Sequence, residues 1–211
     1  PKEHRYYHYI GKIEKEIQRI AKIVRHMLDL YKPGHSDLNE FRASEALQDV
    51  VALLKTDARN DKVQIVLDVQ NATTRVRLPE NTLRQIMYNL ILNAIEASPP
   101  DGVVRIAATV SENCLQVTVS DQGPGIPEAI RTRIFEPFFT TKGASDKSGL
   151  GFGLTICKSL VESMNGTLEL TSRCGQGAVF KISLPINAST AGQEEERGFS
   201  ASRGRFTRPS T

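Results

Sequence analysis

Asn89 and Asn93, Asp121, and the glycines at 123, 125, 149, 151 and 153 are the residues whose types and spacing could carry chemistry here. The two Asn stand four apart inside the apolar run Ile86-Met87-Tyr88-Asn89-Leu90-Ile91-Leu92-Asn93-Ala94-Ile95. On a helix that spacing puts both amides on one face, where burial without partners is costly. An amide oxygen suits Mg²⁺, which takes few protein ligands and keeps phosphates and waters. Taken alone, the pair is explained as well or better by two Asn bonded to neighbouring backbone.

Asp121 opens the stretch Asp121-Gln122-Gly123-Pro124-Gly125-Ile126-Pro127. Its carboxylate is a fixed acceptor for a ligand N–H, and glycine lets a ligand approach the backbone. Adenine offers an amino group where guanine presents a carbonyl, so selectivity would come partly from repulsion. A lone Asp-x-Gly-x-Gly is otherwise an ordinary turn. Downstream, Gly149-Leu150-Gly151-Phe152-Gly153-Leu154 leads into a helical pattern, and a helix N-terminus is a natural phosphate seat. Lys142 and Lys147 lie on the polar stretch between the two clusters and can meet phosphate charge, although exposed loop lysines usually do nothing specific. The spacing is neither the dinucleotide Gly-x-Gly-x-x-Gly nor a P-loop. Two glycine clusters around a polar loop point to ATP, with Mg²⁺, under a mobile cover.

These residues need elements to hold them. Residues 3–31 repeat apolar positions at Tyr6, Ile10, Ile13, Ile17, Ile20, Val24, Met27 and Tyr31, alternately four and three apart, a heptad seam. Ile23, Leu28 and Leu30 widen it toward a bundle face, and Lys32-Pro33-Gly34 ends it. Such a helix is about 43 Å long at about 1.5 Å per residue, too long for a small domain to cover, so self-association through it is expected. After a polar turn, Ser44 is expected to cap a second helix with Ala46, Leu47, Val50, Val51 and Leu54 inward. Residues 62–70 alternate as a strand does. Pro79 opens a helix over 79–98, closed by Pro99-Pro100-Asp101-Gly102. Strands are expected over 103–110 and 115–120, a short helix over 128–134, and a helix over 154–164 ended by Asn165-Gly166. A last hairpin, 167–172 with 178–184, turns at Gly175-Gln176-Gly177. Clustered strands with few intervening helices indicate an α+β two-layer sandwich with helices on one sheet face.

The 211 residues hold 27 Lys and Arg against 24 Asp and Glu, a balance too even to argue for nucleic acid or an anionic membrane. Three cysteines far apart, Cys114, Cys157 and Cys174, give no metal or disulfide framework and fit a reducing cytosol. No apolar run approaches a membrane span. The start at Pro1, inside a helical pattern, suggests a piece of something longer. Residues 187–211, rich in Ser, Gly, Arg and Glu, read as a disordered tail.

Together these motifs resemble those of sensor histidine kinases, within the superfamily shared with gyrase, mismatch-repair ATPases and a chaperone. Residues 84–94 look like the N box and 121–127 like the first glycine box. Ile134-Phe135-Glu136-Pro137-Phe138-Phe139-Thr140-Thr141-Lys142 is similar to the F box, residues 149–154 to the second glycine box, and residues 175–180 to the last glycine turn. The resemblance covers about residues 3–186. It implies a Bergerat-type fold, a mixed sheet on three main helices. It implies that Asn93, with Asn89, holds Mg²⁺ and phosphates and that Asp121 reads adenine. Gly123, Gly125, Ile126, Phe135 and Lys142 would contact nucleotide. Gly149, Leu150, Gly151, Gly153 and Leu154 would seat the triphosphate under a lid over 139–151. It further implies a domain plan: 1–34 as the second helix of a dimerisation hairpin, 35–186 as the ATP-binding domain, 187–211 as the tail.

The activity so implied is transfer of the γ-phosphoryl group of ATP to a His on a dimerisation hairpin, then to an Asp of a response regulator. The expected setting is a homodimer, with this portion cytoplasmic and any membrane contact made through other parts. Two departures stand out. Glu96 occupies a position where some members place a Lys. The four histidines read His4-Arg5, His8-Tyr9, His26-Met27 and His35-Ser36, and none has the Glu or Asp that follows the family's acceptor. Hydrolytic relatives carry a Glu four residues before the metal Asn, where this chain has Asn89. The alternatives are a hydrolytic ATPase of the superfamily and a non-catalytic nucleotide-binding or dimerisation module.

Overall fold

The computed structural model describes residues 38–71, 74–111, 113–141 and 151–186. The expected heptad helix, the tail, all four histidines, Lys142, Gly149 and Leu150 lie outside the described residues.

The centre of the fold is α2 (Glu80–Ala97), which follows Pro79 at its N-cap and stops at Ser98. Thr82, Leu83, Ile86, Met87, Leu90, Ile91, Ala94 and Ile95 are buried on it, so apolar residues cover more than half its girth. A helix that apolar must be enclosed by neighbours. On one side lies α1 (Ala43–Asn60), whose buried Ala43, Ala46, Leu47, Val50, Leu54 and Ala58 recur at helical spacing. On the other lies α3 (Gly153–Ser163), burying Ile156, Cys157, Leu160 and Val161. Arg84 joins the first pair at the surface, reaching Asp49 at 2.8 Å and Glu80 at 2.7 Å.

Beneath the helices runs a five-stranded mixed sheet. Its strands are β2 (Gln64–Gln70), β4 (Val103–Val110), β5 (Cys114–Ser120), β6 (Thr167–Ser172) and β7 (Ala178–Pro185), in the order β2-β4-β5-β7-β6. Only β2 and β4 pair in parallel. Burial alternates strictly along β4, where Val104, Ile106, Ala108 and Val110 are buried, and along β7, where Ala178, Phe180, Ile182 and Leu184 are. One face therefore packs on the helices and the other meets water, as in a two-layer sandwich. Separately, β1 (Asn39–Arg42) pairs antiparallel with β3 (Arg75–Leu78).

Several local expectations change. Residues 39–42 form a strand, not a polar turn, and β3 is a further strand not anticipated. Both are four residues long, too short for alternation to announce them. Ser44 is buried in the first turn of α1, and Arg42 holds the N-cap position without a side-chain bond. Val51 is only half-buried. The helix expected over 128–134 is two separate 3₁₀ turns, Glu128–Ile130 and Arg133–Phe135. The end of α3 is as expected: Asn165 takes a left-handed φ of 55°, and Gly166 N–H donates to the Val161 carbonyl at 2.9 Å, a Schellman-like closure.

Candidate functional site

The enclosure of α2 is incomplete on one side. There Tyr88, Asn89, Leu92, Asn93, Glu96 and Ala97 line a cavity of about 510 Å³. The same cavity is bounded by Asp121, Pro124, Gly125, Ile126, Pro127, Ile130 and Ile134 from the loop after β5. Phe139, Thr140, Thr141, Gly151, Phe152, Gly153 and Leu154 close it from the other end, and Ala178 and Phe180 of β7 form its floor. Its size and its apolar lining with a few polar groups suit a small ligand.

Asn89 and Asn93 face the start of α3. A Cβ placed on Gly153 would lie 3.5 Å from Asn93 Nδ2 and 3.9 Å from Asn89 Oδ1. Among the described residues no side chain caps α3, and its first backbone bond runs from Ile156 N–H to the Phe152 carbonyl at 2.9 Å. The leading N–H groups thus lack intrahelical partners and sit beside the two amides. Cys157, one turn further on, is fully buried, donates to the Ile86 carbonyl at 3.6 Å, and also hydrogen-bonds Asn89. Burial pushes its thiol up to about 12, so it is a neutral packing group and no nucleophile.

Asp121 is held from the opposite wall. Its Oδ1 accepts from Gly123 N–H at 2.8 Å and from Ala178 N–H at 3.1 Å. Its own N–H donates to the Ala178 carbonyl at 3.0 Å. Both bonds fall on one oxygen, so Oδ2 keeps its lone pairs without a partner among the described residues. Burial raises the carboxyl above the usual carboxylate value, and the two backbone bonds pull it part of the way back. Burial, with charge from Asp57 and Glu96, likewise raises the Tyr88 phenol.

The loop around Asp121 is locked to the β6–β7 turn. Gly125 and Gly177 have φ of 73° and 75°. A Cβ on Gly125 would strike the Arg173 carbonyl, and one on Gly177 the Asp121 carbonyl. Only glycine allows both this backbone conformation and this approach.

Of the residues expected to contact a ligand, Asn89, Asn93, Asp121, Gly125, Ile126, Gly151, Gly153 and Leu154 meet at this one cavity. Gly123 and Phe135 do not line it. Gly123 instead packs on the Ala97 carbonyl and bonds Asp121. The Phe135 carbonyl accepts from the Thr155 hydroxyl at 3.0 Å, and Lys158 Nζ lies 5.6 Å from its ring. Leu92, Glu96, Ala97, Ala178 and Phe180 line the cavity without having been expected there, although Glu96 stood out as a departure from the family pattern. The first three were accessible, being three or four residues from Asn89 and Asn93 on the same helix face. Phe180 follows by strand alternation from Ala178. Among the described residues no group of three or more His, Cys, Asp or Glu is placed to hold a metal. A divalent ion here would depend on amide oxygens and on the ligand's own phosphates.

A mixed sheet carrying three helices, with a nucleotide-sized cavity between the central helix and a glycine-rich loop, defines an ATPase-type sandwich. The chain belongs to the histidine kinase-, DNA gyrase B- and HSP90-like ATPase family, whose pattern matches residues 79–188. Its relatives lie on the histidine kinase branch. It is 35% identical over 179 residues to sporulation kinase A of Bacillus subtilis (strain 168), a match covering 84% of this chain and 29% of that protein. It thus spans under a third of that relative's length. Among solved structures it is similar to full-length ShkA in complex with AMPPNP, with a TM-score of 0.74 and 26% identity over 84% of this chain and 38% of that one. It is also similar to the histidine kinase ThkA in complex with the response regulator TrrA, with a TM-score of 0.67 and 28% identity over 84% of this chain and 50% of that one. No helix among the described residues is long and apolar enough to cross a membrane.

Proposed function

We propose that this chain is the ATP-binding catalytic part of a sensor histidine kinase, which presents the γ-phosphoryl of Mg²⁺-bound ATP to a His on a dimerisation hairpin. The observation that carries it is the placing of Asn89 and Asn93 beside the start of α3, in the cavity that also holds Asp121. One end offers amides and helix N–H groups, fitted to phosphate. The other offers a carboxylate oxygen without a partner among the described residues, fitted to an amino group. Asp121 accepts from the adenine amino group through Oδ2, with Gly125 and Ile126 along the base. Asn93, with Asn89, holds Mg²⁺, which neutralises phosphate charge when bound. Gly151, Gly153 and Leu154, with Gly149, Leu150 and Lys142, meet the phosphates. The protein's own task is positioning and charge neutralisation.

The acceptor pattern is absent from His4, His8, His26 and His35, so the acceptor is a His on an adjoining helix. Residues 1–34 supply the second helix of that hairpin and a homodimer contact. A response-regulator receiver domain is the onward partner, as supported by the ThkA–TrrA complex. The amide at position 89 disfavours a water-activating base there and hence the hydrolytic reading.

The test is incubation with Mg²⁺ and γ-labelled ATP, alone and with a hairpin from a related histidine kinase. The expected result is ATP binding, no label retained and no phosphate released by this chain alone, and label on the supplied hairpin. Steady phosphate release without retained label would move the reading to a hydrolytic ATPase. Binding with no transfer to any hairpin would leave a nucleotide-binding module. Ile17→Asp should halve the mass seen in light scattering; an unchanged mass removes the 3–31 seam from the interface.

A further inference from the structure

Between residues 121–131 and 172–178 runs a set of hydrogen bonds that touches no cavity-lining side chain except at its ends. Ser172, at the end of β6, is 6% exposed. Its hydroxyl accepts from Ile126 N–H at 2.8 Å and donates to the Gly177 carbonyl at 2.7 Å. Arg131 Nη2 donates to the Ser172 carbonyl at 2.6 Å, and Arg131 Nε to the Ile126 carbonyl at 3.4 Å. Gly175 N–H adds a bond to the Pro124 carbonyl at 2.7 Å. One guanidinium and one hydroxyl therefore satisfy both backbone groups of Ile126 and a carbonyl on each side of the turn.

We infer that Arg131 and Ser172 are positioning residues for nucleotide recognition: they clamp the Asp121 loop onto the β6–β7 turn and so fix Asp121 and Ile126 relative to the base. Three features carry this. Neither residue lines the cavity, so neither acts by contact. Arg131 makes no ion pair among the described residues; its charge goes to two carbonyls, where a guanidinium fork is stronger than a neutral donor. Ser172 is buried with its hydroxyl used on both sides, so its removal orphans Ile126 N–H and the Gly177 carbonyl together. Ala178, which follows the Ser-bonded Gly177, is the residue whose N–H holds Asp121 Oδ1. The clamp therefore acts on the carboxylate through one peptide unit. A loop freed from it keeps its fold but samples positions from which Asp121 cannot select a base.

The effect on nucleotide rests on the ATP reading above; the clamp itself does not, and the experiment separates them. Ser172→Ala, Arg131→Met and the double variant are compared with the wild-type chain. Three things are measured: Ile126 N–H hydrogen exchange without nucleotide, affinity for ATP and for GTP by calorimetry, and thermal midpoint. Expected are exchange at Ile126 faster by tenfold or more in each single variant, ATP affinity weakened about tenfold, and an ATP-to-GTP preference that falls toward one. The double variant should be little worse than either single one, since both break the same clamp. A general structural defect would instead lower the midpoint and weaken ATP and GTP alike, leaving their ratio unchanged, and that overturns the inference. So does unchanged Ile126 exchange in Arg131→Met. Faster exchange in a chain whose wild type binds no nucleotide would sustain the clamp and sink the ATP reading.

Discussion

The two walls of the cavity are made differently. The wall on α2 and α3 is built from side chains on helices: two amides on one helix meet the first turn of another. The wall formed by residues 121–131 has no regular structure beyond one 3₁₀ turn, and it is held to a distant hairpin by backbone groups and by the Ser172 and Asp121 side chains. The first wall is rigid because its helices are buried, so its substitutions should act on ligand without moving the fold. The second is rigid only while its fasteners are in place, so substitutions there should reach further than their own side chains.

The sharpest break is Gly177→Val. A Cβ there collides with the Asp121 carbonyl at a φ of 75°, and strain and collision together should cost about 3 kcal/mol or more. Urea unfolding should register that loss and ATP binding should be undetectable; a stable, binding variant would mean the loop and turn are not interlocked. Asp121→Asn should weaken ATP about 30-fold in calorimetry, and unchanged affinity would remove Asp121 from the base. On the helical wall, Asn93→Ala should weaken Mg²⁺-dependent binding about tenfold with little change in unfolding. Equal wild-type affinity with and without EDTA would count against the amide–metal assignment.

Asp121→Asn also makes a pH prediction. The folded-state carboxyl of Asp121 is raised by burial, so the folded chain takes up its proton at higher pH than the unfolded chain. Its contribution is most favourable below the unfolded value and is lost as pH rises through the folded one. The Asn variant keeps an oxygen for Gly123 and Ala178 N–H and carries no charge. Its stability relative to wild type should therefore be higher at neutral pH, and the advantage should shrink on acidification. A constant difference from pH 7 to pH 3 would contradict the burial cause. The smallest effect belongs away from both walls. Arg84→Met removes partly exposed pairs with Asp49 and Glu80, should cost about 1 kcal/mol or less, and should leave ATP affinity unaltered.

The same contrast separates what could be read in the sequence from what could not. Asn89, Asn93 and the core face of α2 follow from helical spacing, because position on a helix fixes direction. The strands β4, β5, β6 and β7 follow from alternation and turn residues. What stayed hidden depends on long-range pairing. β1 and β3 are recognisable only as each other's partner. Arg131 and Ser172 sit 41 residues apart in stretches that signal nothing but a loop and a strand end. Glycine types at 125 and 177 marked a turn without saying which carbonyl each must admit. The pair of 3₁₀ turns in place of the helix expected over 128–134 has a local reason: Pro127 and Pro137 leave too few residues between them for helical bonds to repay nucleation.

The interlock of Asp121 with Ala178, 57 residues further along the chain, sets an order of assembly. During synthesis the helices and the β4–β5 hairpin can form from what has already emerged, and Gln122 can accept from Val103 N–H, but the loop after β5 lacks its bonds to Ser172 and Ala178 until β6 and β7 follow it. The cavity is thus completed near the end of the domain's translation, and a nascent or truncated chain ending before β7 lacks both its floor at Ala178 and Phe180 and the backbone bond that holds Asp121, however complete its motifs appear.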